Sequence, residues 1–269
     1  MVYFNGDLFK YKIQLNPAPF TLFGITLALF LGFRNNASYE RFLEGRKLWG
    51  ALLNDTRSLA RQAITLTGYD KESKEVKSFI RLLVAFTYAL KHQLRHTDAF
   101  TDLKRNLSAE LAQRLMQARY IPVLLMKEMA IWVQNARNNN KIIDSIIQTA
   151  FDNNLGKLSD IIGGCERLAS TPIPYTYKVI LHRTVYIYCF LLPFGFVDSL
   201  GWMTPIIVVF IAYTFVGLEA IADELEDPFG LEPNDLALNS MCLMIEGTLL
   251  ELAGEPLPED PVINDFAID

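Results

Sequence analysis

The feature that most constrains this chain is a run from Phe20 to Phe33 that contains no ionisable side chain. The breaker Asn16-Pro17-Ala18-Pro19 precedes the run, and Arg34-Asn35-Asn36 ends it. Because proline suits the first turn of a helix, the run is predicted to be helical from Pro19 onward. Such a helix covers roughly 20 Å, which is less than the roughly 30 Å hydrocarbon core of a bilayer. A membrane span built on this run therefore needs its flanking turns as well.

Two stripes of residues run along this helix, each with a spacing of four positions. Small residues in a stripe let helices approach closely in a membrane, so the helix is suited to packing against copies of itself. A bulky stripe beside them would then point at a shared axis and narrow a hydrophobic pore, although any buried helix shows the same spacing. The small stripe is Gly24, Ala28 and Gly32, and the apolar ridge is Ile25, Leu29 and Phe33.

Composition favours a membrane protein with a substantial soluble part. Apolar residues make up 51% of the 269 positions and charged residues 20%, and the mean hydropathy is +0.19. The net charge of -5 argues against a nucleic-acid partner, which requires a basic face. The three cysteines lie far apart, which indicates reduced, buried thiols and no disulfide framework. Residues 1–14 do not have the pattern of a cleavable signal peptide.

Charge then separates membrane segments from soluble ones. The stretch from Tyr39 to Gln62 continues the first helix as an amphipathic one, and its many basic residues place that end in the cytosol by the positive-inside rule. The apolar stretch from Phe79 to Leu94 is ambiguous between a span and a buried soluble helix. The soluble interpretation is favoured because Arg81 and Lys91 interrupt the stretch.

A second membrane region follows the segment Thr171-Pro172-Ile173-Pro174, which the prolines exclude from regular helix. Two apolar runs, from Val185 to Val197 and from Met203 to Ala222, are joined by a linker without lysine or arginine. They predict a transmembrane hairpin that starts and finishes in the cytosol. Before this region, a helical pattern from Lys141 to Leu168 is predicted to be interrupted at Gly163-Gly164.

No group of residues suggests catalysis. His92 and His96 stand four apart and could ligate a metal, but a solvated or structural pair is favoured because no zinc-protease motif surrounds them. Five carboxylates close the last apolar run, and those from Asp223 to Asp227 lack the spacing of a calcium loop, so a solvated helix end is expected for them. Glu219 lies within the last apolar turns, where a carboxylate should face water or a partner. The five are Glu219, Asp223, Glu224, Glu226 and Asp227.

Three segments together resemble the bestrophin family, specifically its bacterial branch. They are PFTLFGITLALFLGFRNNASYERF at 19–42, GGCERLASTPIPYTY at 163–177 and ELEDPFGLEPNDLALN at 224–239. They lie in the family's order, and the similarity runs from about residue 17 to 253. The resemblance implies an all-α membrane protein, with transmembrane helices and a large cytosolic helical domain, assembled as a homopentamer around a central pore.

The resemblance also implies roles for particular residues. Ile25, Leu29 and Phe33 match the family's hydrophobic neck, and Ile146 falls at its second, cytosolic constriction. The run GGCERLASTPIP would be the turn that returns the chain to the membrane. The expected partners are four further copies of the chain, membrane lipid and permeant monovalent ions. No cofactor or metal is implied, and a multi-pass protein of the bacterial inner membrane with most of its chain in the cytosol is expected.

The chain departs from the family in two places. Leu231 to Asp235 carries too few carboxylates for the calcium clasp of the animal members, so no calcium gating is expected. The family also has a transmembrane helix ahead of the neck helix, and only its end fits within residues 1–14, so the sequence is either truncated or lacks that span. The family conducts anions such as chloride, while bacterial relatives can favour monovalent cations. Glu224 and Asp227 lean toward cations if they face the vestibule.

Two other classes of function remain open at this point. One is a non-conducting, membrane-anchored helical scaffold or sensor, and the other is an intramembrane enzyme or transporter that uses Glu219 and His182. The predicted organisation has five segments. They are 1–18, a remnant of an N-terminal membrane segment or loop; 19–62, the neck helix continuing into the cytosol; 63–177, the cytosolic helical domain; 178–223, the transmembrane hairpin; and 224–269, a cytosolic C-terminal segment with an acidic tail.

Overall fold

The computed structural model describes residues 17–142 and 144–257, together with the short pairs 7–8 and 11–12. The expected remnant of a membrane segment at 1–18 and the expected acidic tail lie largely outside these residues. The prediction of an all-α protein is confirmed. One two-residue antiparallel pair, β1 (Asp7–Leu8) with β2 (Tyr11–Lys12), accompanies the helices. The helices are α1 (Pro17–Thr65), α2 (Lys74–Arg95), α3 (Phe100–Asn106), α4 (Ala109–Met116), α5 (Ile121–Asn138), α6 (Ser145–Ser170), α7 (Tyr175–Leu200), a 3-10 turn (Gly201–Met203), α8 (Thr204–Glu226) and α9 (Leu238–Ala253).

The chain divides into two compact units. The first consists of Met1–Leu43 and Pro172–Pro228, and the second of Glu44–Thr171 and Phe229–Asp269. Two helical stretches, Pro17–Thr65 and Tyr175–Glu226, contain segments long and apolar enough to cross a membrane. Only 17% of each apolar segment is buried within the chain. Most of this apolar surface therefore has to be covered by lipid or by another polypeptide.

The core of the first unit forms where α1 meets the hairpin of α7 and α8. Leu27 and Leu31 of α1 are buried against Val185, Tyr188 and Leu192 of α7. These two leucines stand four apart, so a single face of α1 supplies both of them. The predicted hairpin is present with longer helices than the apolar runs indicated, because α7 and α8 extend into polar sequence at their outer ends.

Helix α2 forms the centre of the second unit. Ser73 caps its N-terminus by accepting a hydrogen bond from the backbone N–H of Val76, and most of the helix from Phe79 to Leu90 is buried. Phe79 lies with its ring centroid 4.4 Å from that of Trp132 on α5. This burial agrees with the interpretation of the stretch as a soluble core helix. At the end of α2, the His92 ring contacts Thr97 and Asp102, at 2.6 and 2.9 Å.

The predicted interruption at Gly163-Gly164 is wrong, because α6 continues through both glycines to Ser170. Gly164 is a point of close approach: a Cβ atom there would lie 2.7 Å from Cδ2 of Leu48 on α1. The turn predicted for GGCERLASTPIP is therefore shorter than the motif. It is confined to the residues between α6 and α7, where two prolines prevent helix.

The buried cysteines of the second unit provide a test of this packing. Burial, reinforced by the charges of Glu166 and Glu44, raises the pKa of the Cys165 thiol to about 12, and burial also raises the pKa of Cys242. Because the thiolate is the reactive form, both thiols should resist iodoacetamide at pH 8 until the protein unfolds. Peptide mass spectrometry of the labelled protein, with and without denaturant, measures this.

A cysteine introduced at the exposed Gln113 is the matched control and should be labelled in the folded protein. Rapid labelling of Cys165 or Cys242 without denaturant would show that the second unit does not pack as described.

Candidate functional site

The apolar ridge faces away from the core of its own chain. Ile25, Leu29 and Phe33 expose 64%, 56% and 59% of their surface, whereas Leu27 and Leu31 on the adjoining face of α1 expose 3% and 0%. The contact with α7 thus sets which side of α1 points outward. More than half of the surface of each of these three apolar side chains is therefore uncovered in the single chain. Their assignment to a pore neck remains a prediction.

The small stripe does not act as one surface. A Cβ atom on Gly24 would lie 2.5 Å from the hydroxyl of Tyr188, which donates a hydrogen bond to the carbonyl of Phe20 at 3.2 Å. Gly24 therefore packs against α7 of its own chain. Ala28 and Gly32 are exposed, and nothing lies within 4 Å of a Cβ atom built on Gly32. Only these two members of the stripe are open to a neighbouring copy.

Ile146, the predicted second constriction, lies in the first turn of α6 in the second unit. Asp144 caps this helix, and its carboxylate accepts a hydrogen bond from the Ile146 N–H at 2.9 Å. The Ile146 side chain is 73% exposed. An apolar side chain held outward on a capped helix end agrees with a lining role, which stays a prediction.

A buried arginine, Arg34, directly follows the ridge. Its role was not predicted from the sequence. The Arg34 side chain is fully buried. It donates a hydrogen bond to Asp223 and lies 3.7 Å from Glu219 and 3.9 Å from Glu226. We call Glu219, Asp223 and Glu226 the α8 acids, and the group that they form with Arg34 the Arg34 anchor.

The expectation of a solvated helix end is wrong for Glu226, which is 9% exposed. Glu219 is 4% exposed and has a partner in Arg34, which is one of the two surroundings expected for it. A buried carboxylate is costly unless it is paired, and Arg34 is the cation that pairs them. A spacing signal was available: positions 219, 223 and 226 share one face of a helix. The sequence did not show that their partner lies on α1, far away in the sequence.

An outer layer of polar contacts surrounds the Arg34 anchor. His182 Nδ1 lies 2.7 Å from an oxygen of Glu219, and Lys178 Nζ lies 2.7 Å from Asp223. Glu226 accepts a hydrogen bond from the Ile173 N–H at 3.0 Å. The pair of Glu219 and His182, considered for an enzyme or transporter, is therefore brought together as part of an ion-pair network.

Two further side chains of α1 bind the backbone of α8 next to the anchor. Asn35 donates to the carbonyl of Leu218 at 3.1 Å, and Arg41 donates to the carbonyl of Glu226 at 3.0 Å. The remaining two carboxylates of the cluster, Glu224 and Asp227, are exposed. Their predicted position in a vestibule stays a prediction.

Comparison with known proteins identifies the family. The family model described as Bacterial/Fungal Bestrophin protein matches residues 1–251. The chain belongs to the bestrophin family. The resemblance seen in the three sequence segments is thereby confirmed.

Individual bestrophin relatives match most of the chain. The voltage-dependent anion channel-forming protein RSc3414 of Ralstonia nicotianae is 51% identical over 258 residues, which are 96% of this chain and 84% of the relative. The voltage-dependent anion channel-forming protein YneE of Escherichia coli K12 is 42% identical over 243 residues, covering 90% and 79% of the two chains. The crystal structure of a bacterial bestrophin homolog from Klebsiella pneumoniae is 44% identical, with a TM-score of 0.87 and coverage of 90% and 89%.

The close approach at Gly24 leads to a prediction for Gly24→Ala. The added methyl group must displace Tyr188 and break its hydrogen bond to Phe20. We expect overpacking to destabilise the protein by about 1–3 kcal/mol, seen as a lower melting temperature in detergent. As a control, Gly156→Ala places its methyl group in open space on α6 and should leave the melting temperature equal or higher. An unchanged melting temperature for Gly24→Ala would contradict the packing of α1 on α7.

Proposed function

We propose that the chain is one subunit of a homopentameric ion channel of the bacterial inner membrane, with its apolar ridge lining the neck of a central pore. The outward orientation of Ile25, Leu29 and Phe33 on α1, away from the chain's own core, is the observation that carries this proposal. Ion conduction is supported by the relatives, whose names describe voltage-dependent anion channel-forming proteins. The non-conducting scaffold is not favoured.

In this proposal, the remainder of the channel is organised around the neck. The exposed Ala28 and Gly32 let neighbouring copies of α1 approach closely beside the ridge. The second unit lies in the cytosol, as the basic residues after the first span indicate, and Ile146 forms a second constriction there. Monovalent ions cross passively, because no part of the proposed path requires an energy source. A monomer in native mass spectrometry that passes no ions in liposomes would favour the scaffold instead.

The neck leads to a prediction for the triple variant Ile25→Ala, Leu29→Ala, Phe33→Ala. Rings of apolar side chains exclude water from a narrow pore and so raise the barrier for ions. Removing them should raise ion flux about tenfold, which corresponds to a barrier lower by about 1.4 kcal/mol. Flux from proteoliposomes of matched protein content measures this.

Phe30→Ala is the control for the neck, because Phe30 is exposed on α1 but lies outside the ridge. It should leave flux near that of the wild type. A triple variant that conducts no faster than Phe30→Ala would place the constriction elsewhere.

The sign of the permeant ion is the second test. The names of the relatives favour anions, whereas the exposed Glu224 and Asp227 favour cations if they face the permeation path. In a tenfold NaCl gradient, we expect the reversal potential of the wild type to lie nearer the equilibrium potential of chloride than that of sodium. Ideal selectivity for one ion corresponds to about 59 mV. The double variant Glu224→Gln, Asp227→Asn should move the reversal potential closer to the equilibrium potential of chloride.

Glu72→Gln, which removes an exposed carboxylate from the second unit, should leave the reversal potential unchanged. A reversal potential of the wild type that lies nearer the equilibrium potential of sodium would establish that the channel prefers cations.

A further inference from the structure

The ridge and the Arg34 anchor are neighbours in sequence but differ in what they contact. Phe33, the last residue of the ridge, is 59% exposed, and Arg34 is 1% exposed. Successive residues of a helix are about 100° apart, so the direction of the Arg34 side chain and that of the ridge are fixed relative to each other. Any rotation of α1 that moves one must move the other.

The apolar contacts with α7 set which side of α1 faces the core, but they do not fix its rotation on their own. Leu27 and Leu31 pack against α7 through hydrophobic contacts, which have no preferred direction. The anchor limits the rotation of α1, because the buried cation at position 34 has to stay within reach of the α8 acids. Asn35 adds a hydrogen bond to α8 one residue later.

The anchor also holds more carboxylates than one arginine requires. Among the described residues, Arg34 Nε and Nη1 have no hydrogen-bond partner, although all three α8 acids lie within 4.0 Å of the guanidinium. If Asp223 is neutralised, Arg34 can therefore be retained by Glu219 or Glu226. Removing Arg34 itself leaves the α8 acids with no cation from α1 at this position.

We propose that Arg34 is the positioning residue of the neck: its ion pairs with α8 fix the rotation of α1 and so present the apolar ridge to the pore. This inference rests on the proposed function. Without the anchor, α1 turns and the ridge is no longer held at the pore, so that the apolar constriction loosens. With lysine at position 34, a cation still reaches the α8 acids and the ridge stays in place.

Thiol accessibility tests the rotation of α1 without relying on conduction. In a background with Cys165, Cys189 and Cys242 replaced by alanine, single cysteines are placed at Phe33 on the ridge or at Leu31 on the core face. A charged, membrane-impermeant methanethiosulfonate is the probe. With Arg34 present, Phe33→Cys should react at least about tenfold faster than Leu31→Cys. In an Arg34→Met background, the two rates should converge to within about twofold, and flux should rise several-fold.

Companion variants separate positioning from general damage. Arg34→Lys should preserve both the accessibility contrast and the flux, and Asp223→Asn should have a smaller effect than Arg34→Met. Arg34→Met combined with Glu219→Gln removes one buried carboxylate together with its cation, and it should show the same loss of contrast in assembled protein. Arg114→Met, which removes the exposed arginine of a surface ion pair, is the matched control and should change neither readout.

The outcomes separate the anchor from the channel. A wild type that conducts, with an accessibility contrast that survives Arg34→Met and the double variant, would overturn the positioning role and leave the channel intact. A wild type that passes no ions, with a contrast that still depends on Arg34, would overturn the channel and support the anchor as the element that sets the rotation of α1.

Discussion

The buried charge of Arg34, directly after the apolar segment of α1, is the constraint on which the first unit depends. Moving a guanidinium from water into a protein interior costs several kcal/mol even after relaxation, and loss of one member of a buried pair typically costs about 3–5 kcal/mol. Arg34 satisfies this constraint because the α8 acids lie around its guanidinium. Arg34 thus holds α1 against the end of α8, where Lys178 of α7 also pairs with Asp223 and His182 of α7 contacts Glu219.

The same constraint accounts for the two faces of α1. Because Arg34, Leu31 and Leu27 lie toward the chain's own core, the ridge that begins at Ile25 has to point away from it. A chain that leaves so much apolar surface uncovered is not a complete folding unit in water, and lipid or further copies must cover the remainder. Family membership and an outward apolar ridge therefore lead to the same proposal from independent observations.

Local sequence patterns predicted much of the fold. The errors concern residues whose contacts lie far away in the sequence. The uncharged length identified the candidate membrane helices, and the charges within Phe79–Leu94 favoured a buried core helix, which α2 is. The glycine pair at 163–164 was misread, because glycine serves both helix breaks and close contacts, and only the position of Leu48 decides between them. The burial of Glu226 and the identity of the partner of Glu219 were also missed, because Arg34 lies far from both in the sequence. In the same way, the spacing of Gly24, Ala28 and Gly32 could not reveal that Gly24 alone contacts Tyr188 of its own chain.

The Arg34 anchor also changes the net charge that is expected along the candidate permeation path. The sequence places five carboxylates near the end of the last span, and a slight lean toward cations was predicted from this acidic bias near Glu224 and Asp227. In the structure, three of them belong to the Arg34 anchor, where Arg34 and Lys178 offset part of their charge. Glu224 and Asp227 are the exposed members of the cluster. Local carboxylate content is therefore weaker support for cation selectivity than the sequence indicates, and a neck of uncharged apolar side chains adds no preference of its own.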